Sequence, residues 1–384
     1  MRILTTLYYY RPHYSGLTVY TERLARALAA KGHQVTILTS RYDRALAARE
    51  RLDGVEVVRL PVALWLSKGV IMPSAPFWSL RLAWQHDVVH VHVPQLDAAP
   101  MALAARLMGK PVVMTYHCNL QLPPSPLNWV ANRVSHLADR VTAAAAHVVI
   151  ANTRDYADSS PLLRRHLGKL VVVPPPVEMP PVERSVVAAL RERLGLRPGE
   201  LLIGMAARFA SEKGVEVLAQ AMPMVLRKKR QARVVYVGQY LDVPGEAHYA
   251  RKLQPVLDRL GKHWTFAGVL TSREMAAFYS LCDVTVLPSL NSTESFGMVQ
   301  VESMTCGTPV VASDLPGVRE PLAVTGMGMC VPAGDPRALA RAILAVLERP
   351  RRFRRDPQQI AEWFSSERAA DQYEQIFLDL LSTG

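Results

Sequence analysis

The sequence has few cysteines and no cluster of residues spaced to bind a metal ion. Its four cysteines, at positions 118, 282, 306 and 330 of 384 residues, lie far apart and form no Cys-x-x-Cys pair. An Asp-x-Asp pair is absent as well. We therefore expect buried thiols in a reducing compartment, and neither a metal ion nor another cofactor.

Long apolar runs are also absent, since none reaches the roughly 18 residues that a membrane-spanning helix needs. The first residues, Met-Arg-Ile-Leu-Thr-Thr-Leu, are typical of a strand and lack the long apolar region of a signal peptide. Together these absences predict a cytoplasmic protein. With 49% hydrophobic and 20% charged residues the chain is globular, and its length suits two domains.

Acidic residues are outnumbered, which leaves a net charge of +12. Residues 1–180 hold 20 Lys and Arg against 11 Asp and Glu, whereas the remainder holds 25 against 22. A basic first half could meet nucleic acid, anionic lipid headgroups or an acidic substrate, or it could be a merely solvated surface. No helix-turn-helix, RNA-binding signature or zinc module is visible, so we expect no nucleic acid partner.

Apolar strands alternate with helical segments along most of the chain. Continuous runs of Val, Ile and Leu in such an alternation predict parallel sheets covered on both faces. The proline-rich residues 174–182 predict a hinge. We therefore predict an α/β protein in which two doubly wound, Rossmann-like domains, residues 1–173 and 183–362, face a central cleft. The predicted strands are 2–7, 34–39, 55–60, 88–91, 112–116, 147–151, 170–173, 201–206, 233–237, 264–267, 284–287 and 309–312, and the predicted helices are 19–31, 98–108, 214–229, 246–260, 272–281, 297–305 and 336–348.

Residues 294–302 place two carboxylates around a glycine, where a predicted strand gives way to a helix. The amides of Phe296, Gly297 and Met298 would be unpaired donors at the helix N-terminus, which suits a phosphate. Glu302 lies one turn further on and can face the same ligand as Glu294. This combination fits a ligand with a phosphate and several hydroxyls, such as a sugar nucleotide.

A plainer interpretation of the same segment stays open. Ser295 could be an ordinary N-cap, and Glu294 could be a residue that the helix dipole favours. Glu302 could then lie on a solvated face of the helix.

Two cations follow the strand predicted at 201–206. Arg208 offers a planar fork and Lys213 a compact charge, and together they suit a diphosphate at the carboxyl end of the sheet. They could equally be two surface cations. In the first half, Gly16 follows the first strand and would let the backbone approach a phosphate at the start of the next helix.

Three histidines lie at or near the carboxyl ends of predicted strands. His117 is well placed to hydrogen-bond a substrate, although a single histidine is more often structural. His90 and His92 alternate on one strand and could suggest a metal site. Because the sequence places no third ligand near them, we interpret both as packing at the strand end.

Residues 63–84 mix aromatic, aliphatic and basic side chains, among them Trp65, Lys68, Phe77, Arg81 and Trp84. This mixture suits an interfacial surface that receives a lipid-linked acceptor at an anionic membrane. A buried helix or loop packed on the sheet is an equally good interpretation.

Taken in order, these segments resemble the family 4 retaining glycosyltransferases of the GT-B fold over nearly the whole chain. The first half contributes Gly16, Val89-His-Val-His92 and Thr115-Tyr-His117 to the resemblance. The second half contributes Arg208…Glu212-Lys213-Gly214, Phe266-Ala-Gly268 and Glu294-x7-Glu302. Residues 363–384 resemble the family's C-terminal helix, which crosses back onto the first domain.

The resemblance implies a role for each matched residue. Arg208 and Lys213 would hold the donor diphosphate, and Glu302 would bind the ribose hydroxyls. Glu294 and the amides of residues 295–298 would hold the donor sugar and the distal phosphate. Gly16 would bring its loop to the diphosphate, His117 would contact the transferred sugar, and the backbone at Gly268 and Val269 would meet the nucleobase.

The activity implied is transfer of a hexosyl unit from a nucleoside diphosphate sugar, a UDP-sugar or GDP-mannose, to a hydroxyl acceptor. The acceptor could be a lipid, a cell-envelope glycan or a small molecule. The resemblance implies retention of configuration. Cations and helix amides can stabilise a leaving diphosphate in place of a metal ion, so we expect no metal requirement. Two other functions stay open: a sugar-nucleotide epimerase of the same architecture, and a non-catalytic sugar-nucleotide-binding protein.

Overall fold

The computed structural model describes residues 1–66, 69–121, 126–243 and 245–382. The chain divides into two compact units. Unit 1 contains residues 1–176 and 364–384, and unit 2 contains residues 177–363. Within the described residues, no helix combines the length and the apolar character needed to cross a membrane.

Strands and helices alternate in both units. In chain order the strands are β1 (Arg2–Thr6), β2 (Gln34–Arg41), β3 (Arg49–Leu52), β4 (Val55–Pro61), β5 (Leu64–Leu66), β6 (Gly69–Ile71), β7 (Val88–Val93), β8 (Val112–Tyr116), β9 (Val148–Ala151), β10 (Leu170–Val172), β11 (Leu201–Ala206), β12 (Ala232–Val237), β13 (Trp264–Gly268), β14 (Val284–Leu287), β15 (Val310–Ser313) and β16 (Gly328–Val331). The helices are α1 (Gly16–Ala30), α2 (Ala75–Gln85), α3 (Ala98–Leu107), α4 (Pro126–Ala145), α5 (Arg154–Ser159), α6 (Arg184–Arg193), α7 (Val215–Lys228), α8 (Ala247–Leu260), α9 (Ser272–Leu281), α10 (Met298–Thr305), α11 (Glu320–Thr325), α12 (Pro336–Glu348), α13 (Pro350–Phe353), α14 (Pro357–Trp363) and α15 (Ser366–Ser382).

The sheet of unit 1 has eight strands in the order β10-β9-β8-β7-β1-β2-β4-β3. All neighbours are parallel except β3, which runs antiparallel to β4. From β1 the chain adds β2, β4 and β3 on one side of the sheet, and it then crosses to the other side of β1 and continues with β7. Parallel sheets bind ligands beyond the strand ends at such a reversal, so the loops after β1 and β7 mark the place to look in unit 1.

The sheet of unit 2 has six parallel strands in the order β13-β12-β11-β14-β15-β16. Its reversal lies between β11 and β14, which pair through Ile203 with Val284 and Gly204 with Thr285. Apolar side chains fill both faces: α7, α8 and α12 cover one, and α6 and α9 cover the other. The predicted fold class, α/β with two doubly wound parallel sheets, is confirmed.

Several elements were absent from the sequence prediction. The edge strand β3 is polar and alternates between exposed and half-buried residues, and the β5–β6 hairpin is only three residues a side. The amphipathic helix α4 carries an apolar spacing from which it could have been predicted. The prediction of four buried thiols is wrong, because among the four free cysteines only Cys282 is buried and Cys330 is exposed.

Candidate functional site

Two loops meet at the point where the strand order of unit 2 reverses. One follows β11 and carries Arg208 and Lys213; the other follows β14 and carries Glu294. Their backbones touch, because the Leu290 amide donates to the Glu212 carbonyl at 3.0 Å. The two predicted segments are therefore one local structure.

Each predicted cation of this structure forms an ion pair. Lys213 Nζ lies 2.7 Å from Glu294 Oε2, and Arg208 lies 2.8 Å from Glu212 Oε1. Burial alone would lower the pKa of Lys213, but Glu294 and Glu212 outweigh it and raise the pKa above its ordinary value. Lys213 therefore remains a cation at any physiological pH, with Glu294 beside it.

The backbone shape of both loops depends on glycine. Gly214, at φ +68°, precedes α7, and a Cβ there would lie 2.0 Å from the Pro288 carbonyl oxygen. Gly297, at φ +77°, precedes α10, and a Cβ there would lie 2.3 Å from a Leu287 methyl group. Only a residue without a side chain permits this approach of the loops to each other and to the sheet.

The helix α10 begins after Gly297, at the end of the segment predicted to bind a phosphate. Gly297 is the N-cap, and no side chain caps the helix. The Gln300 amide donates to the Gly297 carbonyl at 2.9 Å, which leaves the amides of Met298 and Val299 at the start of the helix placed to meet an anion. The Gln300 side chain holds the loop in place by donating to the carbonyls of Phe296 at 2.8 Å and Val318 at 2.9 Å.

Glu302 is buried, with 8% of its surface exposed. Its Oε2 accepts a hydrogen bond from the Tyr279 hydroxyl at 3.0 Å. The plainer interpretation of this segment is thus wrong: Ser295 is not the N-cap and Glu302 is not on a solvated face. Tyr279 was not predicted, because a tyrosine inside a helix gives no sequence signal of its partner.

Two further predicted residues of unit 2 lie at the end of β13. Gly268 has φ +73° with open space around it, and Val269 is exposed. Space for a ligand therefore lies beside Gly268, although its carbonyl already accepts from the Gly238 amide at 2.9 Å. Its role remains a prediction.

Gly16 is the first residue of α1 and is exposed. The Ser15 hydroxyl caps this helix by accepting from the Thr18 amide at 3.2 Å. The family often has a second glycine where this chain has Ser15. The serine thus occupies one of the amides that a phosphate could otherwise use.

His117 belongs to a buried cluster in unit 1 together with His90 and His92. His117 Nε2 lies 2.7 Å from His92 Nδ1, and the rings of His90 and His92 are 4.2 Å apart. Burial lowers the pKa of both His90 and His117 to about 3. His117 thus lies beside His92, but within the described residues no group of three such side chains is arranged to hold a metal ion.

A chain of hydroxyls ties this cluster to the end of the sequence. The Tyr373 hydroxyl on α15 lies 2.7 Å from that of Tyr20 and 2.6 Å from Thr115 Oγ1. Thr115 in turn lies 2.8 Å from His90 Nε2. Tyr373 lies 258 residues from Thr115 and 353 residues from Tyr20 in the sequence. Contacts over such separations cannot be predicted from sequence spacing, so this network was not predicted.

Residues 63–84 were interpreted either as an interfacial surface or as a buried helix or loop, and the structure agrees with each in part. Ser67 and Lys68 of this segment lie outside the described residues. One face of α2 is buried, at Leu82 and Ala83, while Phe77 and Trp84 on the other are exposed. Exposed apolar residues continue on α3 and α4, and Arg133 stacks on Trp129 at 5.2 Å. An apolar surface with cations is therefore present on unit 1.

Comparison with known proteins places this geometry in a family. Residues 15–176 match the family described as glycosyl transferase 4-like domain, and residues 186–362 match glycosyl transferases group 1. The D-inositol 3-phosphate glycosyltransferase of Xylanimonas cellulosilytica is 32% identical over 365 residues, covering 86% of this chain and 83% of the relative.

Solved structures agree on the fold. Sucrose-phosphate synthase from Thermosynechococcus elongatus has 22% identity and a TM-score of 0.78, and Anabaena HepE in complex with UDP-glucose has 20% identity and a TM-score of 0.78. Each alignment covers 100% of both chains. The chain therefore belongs to the family 4 glycosyltransferases of the GT-B fold.

Proposed function

We propose that this glycosyltransferase moves a hexosyl unit from a nucleoside diphosphate sugar to a hydroxyl acceptor with retention of configuration. The observation that carries the proposal is the Lys213–Glu294 pair at 2.7 Å, at the strand reversal of unit 2 and on the loop that leads into α10. A cation, a carboxylate and the amides at the start of α10 together provide partners for a diphosphate and for sugar hydroxyls.

In this proposal the leaving diphosphate is held by Arg208, Lys213 and the amides of residues 295–298. The bond between the sugar carbon and the phosphate oxygen breaks as the acceptor oxygen attacks the same face of the sugar. The leaving phosphate takes the proton of the acceptor hydroxyl, so no glycosyl–enzyme intermediate forms. A covalent glycosyl adduct trapped on Glu294 would overturn this route.

The remaining predicted residues complete the donor contacts. Glu302, fixed by Tyr279, binds the ribose hydroxyls, and the backbone at Gly268 and Val269 meets the base. In unit 1, His117 contacts the transferred sugar as a neutral imidazole, because its pKa of about 3 keeps it unprotonated. Gly16 approaches the diphosphate.

We propose a UDP-sugar or GDP-mannose as the donor and no requirement for a metal ion. A preorganised donor aimed at developing negative charge is worth about 3–4 kcal/mol. Two cations and the helix amides can therefore take the part of a divalent ion. Turnover that survives EDTA unchanged supports this, whereas recovery only on adding Mg²⁺ or Mn²⁺ contradicts it.

The test is a turnover assay with UDP-, ADP- and GDP-sugars, with and without an acceptor. Arg208→Ala and Lys213→Ala should each lower kcat by about 100-fold. Arg227→Ala, which removes an exposed cation of α7, should change it less than twofold. Full activity in either of the first two variants contradicts the proposal.

The same assay separates the two other functions. Epimerised donor formed without any acceptor would support a sugar-nucleotide epimerase. Binding of the donor without any turnover would support a non-catalytic protein. Membership in a glycosyltransferase family favours acceptor-dependent release of the nucleoside diphosphate.

We also propose that unit 1 contacts the anionic inner face of a membrane, in a cytoplasmic protein. Exposed Phe77 and Trp84 on α2 and Trp129 beside Arg133 on α4 support this, because interfacial surfaces combine such rings with cations. Vesicles of phosphatidylglycerol should sediment the protein at low salt, and Trp84→Ser with Phe77→Ser should weaken sedimentation. Equal sedimentation with neutral vesicles, or none at all, contradicts the contact.

A further inference from the structure

Unit 1 contains a cavity of about 200 Å³ at its own strand reversal. Tyr8 and Tyr9 from the loop after β1 line one side, and Pro94 and Leu96 from the loop after β7 line another. A cavity at the carboxyl ends of parallel strands next to the reversal is the expected position of a ligand in this architecture. None of the donor contacts proposed above lies among its described lining residues.

The described lining is largely apolar and carries no formal charge. It contains no Lys, Arg, Asp or Glu, and α4 contributes only Ala131 and Ser135 to it. An engineered apolar cavity of about 150 Å³ holds a benzene ring, so this one has room for a ring with small substituents. The tyrosine rings provide aromatic faces and edges for such a guest.

Two buried polar side chains line the same cavity with an unused hydrogen-bonding atom each. His92 uses Nδ1 with His117, and its Nε2 has no partner. Gln95 donates from Nε2 to Thr6 at 3.1 Å, and its Oε1 has no partner. Both side chains are at least 98% buried, and unpaired buried polar atoms are unfavourable unless a ligand satisfies them.

The surroundings disfavour an anionic guest. Asp139, one turn past Ser135 on α4, and Asp97, next to Leu96, are both buried enough that their pKa values rise to about 7 and about 6. Neither carboxyl group belongs to the described lining, but both lie within one turn of lining residues, and that lining contains no cation to balance a phosphate. At the rim, the N-terminus of α1 supplies amides, but Ser15 already caps it.

We propose that this cavity holds the acceptor, and that the acceptor is an uncharged alcohol with an apolar ring, its hydroxyl bound by His92 Nε2 and Gln95 Oε1. This inference rests on the proposed transfer of a sugar to a hydroxyl. It separates the chain from the relative named for D-inositol 3-phosphate, whose named acceptor carries a phosphate. The hydroxyl would donate to Gln95 Oε1 and accept from His92 Nε2, which requires the His92 tautomer that carries its hydrogen on Nε2 while Nδ1 accepts from His117 Nε2.

Calorimetry with a matched set of probes tests the proposal. 2-Naphthol should bind saturably, at least tenfold more tightly than 2-naphthyl phosphate, which differs only by the charged group. Naphthalene, which lacks the hydroxyl, should also bind more weakly. Tighter binding of 2-naphthyl phosphate or of D-inositol 3-phosphate than of 2-naphthol overturns the proposal.

Two variants on α4 locate the binding. Ala131→Trp fills the cavity and should weaken 2-naphthol at least tenfold, whereas Val134→Trp, on the exposed part of the same helix, should change it less than twofold. Gln95→Leu keeps the side-chain size and should abolish the preference for 2-naphthol over naphthalene. Unchanged binding by both Ala131→Trp and Gln95→Leu contradicts the assignment.

The donor is measured separately so that the two proposals can fail independently. Binding of nucleoside diphosphates to Ala131→Trp should equal that of the unaltered protein, which also shows that the variant is folded. If no nucleoside diphosphate sugar binds, the proposed function fails whatever 2-naphthol does. If the donor binds and only charged acceptors are glycosylated, the acceptor proposal alone fails.

Discussion

Among single residues, the pairing of opposite charges decides how the candidate donor site would work. The carboxylate of Glu294 holds Lys213, so the cation is positioned but partly neutralised before a ligand arrives. A diphosphate must compete with Glu294 for Lys213 or share it. Under the proposed function, Glu294 lowers the affinity of Lys213 for the leaving group and in return positions the cation and the sugar.

Glu294→Gln tests whether the Glu294 carboxylate competes with a diphosphate for Lys213. The amide preserves the size of the side chain but removes the charge, so free UDP or GDP should bind severalfold more tightly while kcat falls at least tenfold. Glu192→Gln, an exposed position on α6, is the control and should change neither value. Weaker nucleotide binding together with an unaltered kcat would contradict the role of Glu294.

The buried histidines predict how stability depends on pH. The pKa of His90 is lowered from 6.5 to about 3 in the folded protein, so the unfolded chain binds the extra proton first as pH falls. Stability is therefore lost below pH 6.5, at up to roughly 1.4 kcal/mol per pH unit for each such site. The raised pKa values of Asp97 and Asp139 act in the opposite direction between pH 4 and 7.

Comparison of His90→Gln with the unaltered protein isolates the histidine contribution, since the aspartates are common to both. The unfolding temperature of the unaltered protein should drop more between pH 7 and pH 5 than that of His90→Gln. Equal drops would show that His90 is not held neutral.

The chemistry of single residues was partly readable from the sequence. Arg208, Lys213 and Glu294 follow the ends of predicted strands, and parallel strands bring such positions to one edge of a sheet. The pairing of Lys213 with Glu294, 81 residues away, needed the order of β11 and β14 in that sheet. His92 was not predicted as a site residue, because its neighbours come from other elements and the sequence does not show them.

At the element scale, α10 shows how a short helix positions a site. Its eight residues follow Gly297, which lies in the left-handed region, and end before Gly307, which has φ +85°. The two glycines share a backbone conformation and differ in their surroundings. A Cβ at Gly297 meets Leu287 at 2.3 Å, whereas one at Gly307 finds its nearest atom 3.9 Å away.

This contrast gives a matched pair of variants. Alanine at either position costs about 1–2 kcal/mol of folding free energy, because a side chain is unfavourable in the left-handed region. Gly297→Ala should in addition shift the loop and weaken donor binding at least tenfold, while Gly307→Ala should leave donor binding unchanged. Calorimetric titration of the donor and thermal unfolding measure the two effects; equal donor affinities would contradict the role of the loop.

Elements with continuous apolar strands were predicted within one or two residues, as for β4, β11 and β14. The pattern works there because a strand buried on both faces tolerates little else. It failed for β3, whose outer face is polar, and for the β5–β6 hairpin, which lies outside both large sheets. Few residues of these peripheral elements are buried, so their sequences show little of the apolar pattern that identifies a strand.

At the scale of the whole molecule, α15 belongs to unit 1 although it follows unit 2 in the chain. Tyr373 and Phe377 are fully buried there, and α15 packs against α1. Unit 2 has its own apolar clusters, formed by residues of that unit. The two units should therefore respond separately to a defect in one core.

Phe377→Ala should lower the free energy of unfolding of unit 1 by about 3–5 kcal/mol through the cavity it leaves. Leu378→Ala removes an exposed neighbour on the same helix and should have little effect. Hydrogen exchange resolved by peptide should quicken in residues 1–176 and not in residues 177–363. Equal loss of protection in both ranges would contradict two separate cores.

The proposed function depends above all on Arg208 and Lys213 binding the diphosphate of an activated sugar. Calorimetric titration of UDP, GDP and the matching monophosphates into the unaltered protein and the Arg208→Ala, Lys213→Ala double variant measures this binding. We expect the double variant to lose at least 100-fold in affinity for the preferred diphosphate and far less for its monophosphate. Equal affinity of both proteins for every diphosphate would rule out this role of the two cations.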